Sequence, residues 1–124
     1  MRLNQITVPA VNLDESVEFY KNLGFRQIVE APAYARFEAP DGETTLSLHV
    51  VQSIPEGDGI SLYLEVDNVD ETVEQLRELG INFETEPKDQ RWLWREAWFR
   101  DPCNNRLCIY HGGENRRYPP WRVN

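Results

Sequence analysis

Histidine and cysteine, the residue types best suited to proton transfer or nucleophilic chemistry near neutral pH, are scarce in this sequence. There are two histidines, His49 and His111, and two cysteines, Cys103 and Cys108. The cysteines are too few for a disulfide scaffold and lack zinc-knuckle spacing, so they read as reduced thiols. Cys108 becomes a nucleophile only if a base or a positive charge lowers its pKa, and no such partner is visible, so an inert thiol is expected. His49 can contact a ligand, act as an acid or base, or be an ordinary satisfied histidine. No partner carboxylate is identifiable for it, which favours a ligand contact over catalysis. His111 closes the last strand and reads as structural.

Aromatic and basic residues gather late in the chain. All four tryptophans, Trp92, Trp94, Trp98 and Trp121, follow residue 88. Residues 1–87 carry five Lys/Arg against seventeen Asp/Glu, whereas residues 88–124 carry eight against four. The later stretch is either a set of strands after an acidic helical surface or the part that faces an anionic or aromatic ligand. Along one strand, Trp92, Trp94 and Trp98 share a face with Glu96, while Arg95 shares the other with Leu93, Ala97 and Phe99. Three tryptophans on one face line a cavity, pack under a helix or form a subunit contact.

The elements that position these residues follow a repeat. Asn12-Leu13-Asp14-Glu15-Ser16-Val17-Glu18 and Asn68-Val69-Asp70-Glu71-Thr72-Val73-Glu74 lie 56 positions apart, and Leu23-Gly24 matches Leu79-Gly80. Each copy predicts a helix: an Asn N-cap, a Glu at the capping-box position, and a Gly at the left-handed stop. The apolar stripes Leu13, Val17, Tyr20 and Val69, Val73, Leu76 bury one face of each. The flanks predict strands at Leu3–Val8, Phe25–Ala31, Tyr34–Glu38 and Thr45–Val51, then Ile60–Val66, Asn82–Thr85, Trp94–Phe99 and Arg106–Tyr110. Pro40-Asp41-Gly42 and Asp101-Pro102-Cys103-Asn104-Asn105 are turn chemistry before the last strand of each copy. The unit is β-α-β-β-β twice, an α+β arrangement, with module 1 over about 3–51 and module 2 over about 60–111. The join falls near Gln52–Gly59, and a tail follows over 112–124.

Paired βαβββ modules of this length resemble the vicinal oxygen chelate superfamily, which holds glyoxalase I, extradiol dioxygenases, fosfomycin-resistance proteins and bleomycin-binding proteins. The resemblance spans about residues 3–111. It rests on Leu13-Asp14-Glu15-Ser16-Val17-Glu18-Phe19-Tyr20, Leu23-Gly24-Phe25, and Trp94 through Pro102, whose turn reads Asp-Pro-Cys-Asn-Asn where the family usually has Asp-Pro-Asp-Gly-Asn. It implies one domain over 1–124, a curled mixed sheet around a cavity, and helices on the convex side. In metal-dependent members, His or Glu projects inward from the first and last strand of each module. The matching positions here are Gln5 and Ser61, then Ser47 and Cys108. None suits a hard divalent ion, which wants carboxylate or imidazole, so no metal and no cofactor are expected. Strand parity adds Thr7, His49, Tyr63 and Tyr110 to the lining, with Glu65 on the same face. Trp94 and Arg95 complete the expected ligand-binding set.

The resemblance therefore implies a protein that holds a small anionic or aromatic molecule in its cavity. A metal-dependent lyase or dioxygenase with atypical ligands is the competing class. A net charge of −8 argues against nucleic-acid partners. Mean hydropathy is −0.61 and no apolar run approaches a bilayer span, so no membrane partner is expected. The N-terminal residues lack a signal-peptide pattern, which predicts a cytoplasmic location. The apolar surface of the Trp-rich strand and the aromatic tail predicts a homodimer.

Overall fold

A computed structural model of the chain describes residues 1–123. It comprises two compact units, residues 1–59 with 101–105 and residues 60–100 with 106–123.

In the first unit, β1 (Gln5–Ala10) leads to α1 (Leu13–Asn22), then β2 (Arg26–Ala31), β3 (Tyr34–Glu38) and β4 (Thr45–Val50). The sheet order is β1-β4-β3-β2. β1 and β4 run parallel with Thr7 opposite Ser47 and Pro9 opposite His49, and the other pairings are antiparallel. A parallel pair needs a crossover connection, and α1 with β2 and β3 supplies it. The second unit has β5 (Ser61–Glu65), α2 (Val69–Glu78), β6 (Lys88–Asp89), β7 (Arg95–Arg100), β8 (Arg106–His111) and α3 (Glu114–Arg117). Its order is β5-β8-β7-β6, again with the first and last strands parallel. Both sheets keep free edges, so neither closes into a barrel.

The helix ends form as their residues dictate. Asn12 Oδ1 accepts from Glu15 N at 3.1 Å and Asn68 Oδ1 from Glu71 N at 3.0 Å. At the other ends Gly24 and Gly80 adopt φ of +96° and +90°, and Phe25 N and Ile81 N reach back to the carbonyls of Tyr20 and Leu76. This is the Schellman stop, with buried Phe25 and Ile81 as its apolar contact.

Val8, Phe37, Leu46 and Leu48 form the first core around Tyr20, which is fully buried against Phe19, Phe25 and Phe37. The second core gathers Leu62, Val69, Val73, Phe99, Leu107 and Ile109. The turn 101–105 links β7 to β8 along the chain but groups with the first unit.

Two local expectations change. The run Asn82–Thr85 makes only an isolated bridge, Phe83 to Phe99, and the edge strand is Lys88–Asp89; Pro87 lacks the N–H a ladder needs. β7 begins at Arg95, one residue late, because Leu93 sits at φ +68° in a turn closed by its N–H to Gln90 O. Trp92 therefore lies outside the strand. The tail begins with the short helix α3, and Pro119, which has no N–H, cannot continue its hydrogen bonding. No helix among the described residues is long and apolar enough to cross a membrane.

Candidate functional site

Two polar sheet faces carry the expected site residues, one in each unit. On β3, Ala35 and Phe37 are buried in the core, so Tyr34 and Arg36 turn to the other face by strand alternation. There they meet Ser47, which is fully buried. Tyr34 OH and Ser47 Oγ lie 2.5 Å apart, Arg36 Nε donates to Tyr34 OH at 2.9 Å, and Gln5 Nε2 donates to Ser47 Oγ at 2.8 Å. Gln5 Nε2 also lies 3.2 Å from Thr7 Oγ1, and its Oε1 accepts from Thr45 Oγ1. The Ser47 hydrogen bond, helped by the Arg36 guanidinium and opposed by desolvation, holds the Tyr34 phenol below its ordinary pKa. His49 is exposed and makes no side-chain hydrogen bond among the described residues.

The second face is aromatic. Tyr63 on β5 is 45% exposed and meets Trp94, Trp98 and Tyr110 edge-on, with ring centroids 5.7, 5.3 and 5.4 Å away. Beneath them Glu96 is buried, and its two carboxylate oxygens accept the indole N–H groups of Trp92 at 2.7 Å and Trp98 at 3.1 Å. A buried carboxylate needs such donors, and here two tryptophans supply them. The Arg106 guanidinium lies 4.5 Å over the Trp98 ring and donates to Ser61 Oγ at 3.1 Å. It pairs with no carboxylate among the described residues. Burial and the Glu96 charge raise the Tyr63 pKa, and burial with the Glu65 charge raises that of Tyr110. Burial first, then Glu96, pushes the Cys108 thiol up to about 12.

The expected set thus divides. Gln5, Thr7 and Ser47 form one connected network; Ser61, Tyr63, Trp94, Cys108 and Tyr110 share the aromatic face. Arg95 lies on the opposite face of β7, where its guanidinium grips Asp70 of α2 at 2.7 and 2.8 Å and Asp89 at 3.0 Å. Its parity with Ala97 and Phe99 was the sign of this. Tyr34, Arg36 and Arg106 were missed; Arg106 sits two residues before Cys108, whose face parity had placed, whereas no such signal marked Tyr34 or Arg36. Glu96 was placed on the tryptophan face without a role.

The four positions where metal-dependent relatives carry ligands do not fit a divalent cation. Gln5 and Ser47 are joined to each other, Ser61 faces a guanidinium, and the Cys108 thiol is neutral at physiological pH. No cluster of three or more His, Cys, Asp or Glu suited to a metal occurs among the described residues.

The fold and the placement of these faces define an α+β protein built from βαβββ units. A family model, the Glyoxalase/Bleomycin resistance protein/Dioxygenase superfamily, matches residues 2–109, and the chain belongs to that superfamily. It is 33% identical over 127 residues to a Bacillus subtilis (strain 168) protein described as "Uncharacterized protein YraH", covering 89% of this chain and 98% of that one. A crystal structure of a glyoxalase/bleomycin resistance protein/dioxygenase from Nocardioides is similar at TM-score 0.82 and 25% identity, over 100% of this chain and 90% of that one. A bleomycin-binding protein in complex with bleomycin shares the fold at TM-score 0.73 and 21% identity, over 91% and 100% of the two chains.

Proposed function

We propose that this protein binds a small anionic aromatic molecule without a metal, and that it works as a homodimer in the cytoplasm. The observation that carries the reading is Arg106: a guanidinium without a carboxylate partner among the described residues, laid over Trp98 beside the half-exposed Tyr63. A planar ring can stack on the aromatic cluster while its charged group meets Arg106. Ser61 and the buried Glu96 fix the geometry from either side. The bleomycin-binding protein is complexed with bleomycin in the same fold, and the donor chemistry at Gln5, Ser47, Ser61 and Cys108 supports binding rather than metal-assisted conversion.

Naphthalene-2-sulfonate tests this. It should quench tryptophan emission saturably in the native protein. Tyr63→Ala and Arg106→Gln should each weaken binding about tenfold or more, the expected scale for losing one stacking or charged contact. Glu96→Gln should alter the emission spectrum before any ligand is added. A purified protein carrying about one divalent metal per chain, with catalysis lost on chelation, would instead establish the lyase or dioxygenase reading.

A further inference from the structure

The tail beyond α3 reads Tyr118-Pro119-Pro120-Trp121-Arg122-Val123, and it is ordered without being buried. Arg122 N donates to Pro119 O at 3.0 Å, Arg122 Nη1 donates to Arg117 O at 2.8 Å, and the Arg122 guanidinium covers the Tyr118 ring at 4.4 Å. Tyr118 and Trp121 nevertheless remain 60% and 55% exposed. Neither Arg117 nor Arg122 pairs with a carboxylate among the described residues. The segment is a preformed aromatic and cationic knob.

The first unit carries its complement. An open cleft of about 910 Å³ lies between the first turn of α1 and the β2–β3 turn. Val11, Val17, Pro32 and Val50 give it apolar walls, with Val11 and Val50 more than 40% exposed. Asp14 and Glu30 add negative charge, and neither forms an ion pair among the described residues.

We infer that the cleft of one copy receives the Tyr118–Arg122 knob of a second copy, with Trp121 against the apolar walls and Arg117 and Arg122 facing Asp14 and Glu30. The inference rests on the dimer proposed above and names its contact. The exchange inferred is reciprocal, a twofold dimer with two identical contacts. Preordering by Pro119, Pro120 and the Arg122 contacts lowers the entropy lost on docking. Half-exposed Tyr and Trp side chains and the surfaces that cover them bring the total to on the order of 1,000 Å², the lower bound for a specific interface. The dimer is therefore concentration-dependent, and its charged contacts weaken as salt rises.

Sedimentation equilibrium on the full chain tests the contact. Trp121→Ala and truncation after Arg117 should each raise the dimer dissociation constant at least about tenfold and leave the melting temperature of the monomer unchanged. Glu30→Arg and Arg122→Glu should each weaken the dimer, and the double variant should regain most of the loss. A dimer indifferent to truncation and to Trp121→Ala overturns the inference while leaving the dimer itself on another face. A wild-type protein that stays monomeric removes both. A monomer whose tail resists protease until Glu30→Arg is introduced places the knob in its own chain's cleft and also overturns it. A dimer unmoved by Glu30→Arg whose cleft binds naphthalene-2-sulfonate makes the cleft a ligand site, with the same consequence.

Discussion

The Tyr20 hydroxyl donates to Asp101 Oδ2 at 2.6 Å, joining residues 81 positions apart within one unit. Asp101 is nearly fully buried, and its other partners are close by: Cys103 N and Asn105 N at 2.9 Å on Oδ1, and Asn105 Nδ2 at 2.7 Å on Oδ2. Asn105 Nδ2 also lies 3.1 Å from Pro9 O. The Asp-Pro-Cys-Asn-Asn turn is thus a carboxylate cage that holds Tyr20 in the core. Burial, reinforced by the Asp101 charge, pushes the phenol far above its ordinary pKa, so it remains a donor at all working pH values.

Tyr20→Phe removes one hydrogen bond to a charged acceptor and leaves the ring packing intact. It should cost about 1.5–3 kcal/mol in urea unfolding with an unchanged m-value. Asp101→Ala should cost more, because it takes the acceptor from Tyr20 OH, Cys103 N and Asn105 N together. Equal stability of Tyr20→Phe and wild type would show that the contact contributes nothing.

Much of this arrangement is legible in the sequence, and the rest is not for identifiable reasons. The Asn caps and Gly stops of α1 and α2 act within a few residues, so local chemistry specifies them. Strand alternation places Ser47, Tyr63, Cys108 and Tyr110 on one kind of face and Arg95 on the other. The Tyr20–Asp101 bond depends on a tertiary approach that no spacing reveals. Glu96 shows the same gap: parity puts it with the tryptophans, but that two indoles would share its oxygens depends on Leu93 taking a left-handed turn. Arg36 went unread because alternation alone marks it as facing away from the core and says nothing of Tyr34 or Ser47.

Cys103 and Cys108 are both buried, and burial raises both thiol pKa values, that of Cys108 to about 12. Thiolate is the reactive form, so at pH 8 the folded protein should react with Ellman's reagent far more slowly than a free thiol. Denaturation should then release both cysteines to the reagent. Rapid labelling of native protein at Cys108 would contradict its burial and reopen a nucleophilic role.

Glu65 makes the start of the tail pH-sensitive. Burial works to raise its pKa, but the N–H donors of Gly112 and Gly113, at 2.9 and 3.0 Å from Oε2, outweigh it and the carboxyl sits below its ordinary value. A carboxyl with a depressed folded pKa adds stability above its unfolded pKa of about 4.3, and that stability fades as pH falls through the folded value. The stability gap between wild type and Glu65→Gln should be full at neutral pH and narrow steadily in acid. Amide exchange at Gly112 and Gly113 should follow it. A gap that widens on acidification would refute the assignment.

Gly112 is required by an aromatic ring rather than by its backbone angle. A Cβ placed there would fall 2.8 Å from Trp94 Nε1 and 3.1 Å from Cδ1 and Cε2. The indole has little room to yield: its N–H bonds Asn115 O at 3.2 Å, and its ring sits 4.6 Å from Tyr110 and 5.7 Å from Tyr63. Gly112→Ala should therefore cost about 1–3 kcal/mol through overpacking, and it should shift tryptophan emission because the displaced ring is Trp94. Gly113→Ala serves as the contrast. Its residue sits at φ +55° and ψ −131°, a backbone region open mainly to glycine, so a side chain there is strained by about 1–3 kcal/mol, but the added methyl meets only the exposed His111 ring, at 3.3 Å. That variant should lose stability with its emission spectrum unchanged. In a Trp94→Ala background the Gly112→Ala penalty should largely disappear, since the atoms it collides with are gone, and the cycle should show strong non-additivity. A Gly112→Ala penalty that persists without Trp94 would place the cause in the backbone and sink this account of the tail's anchor.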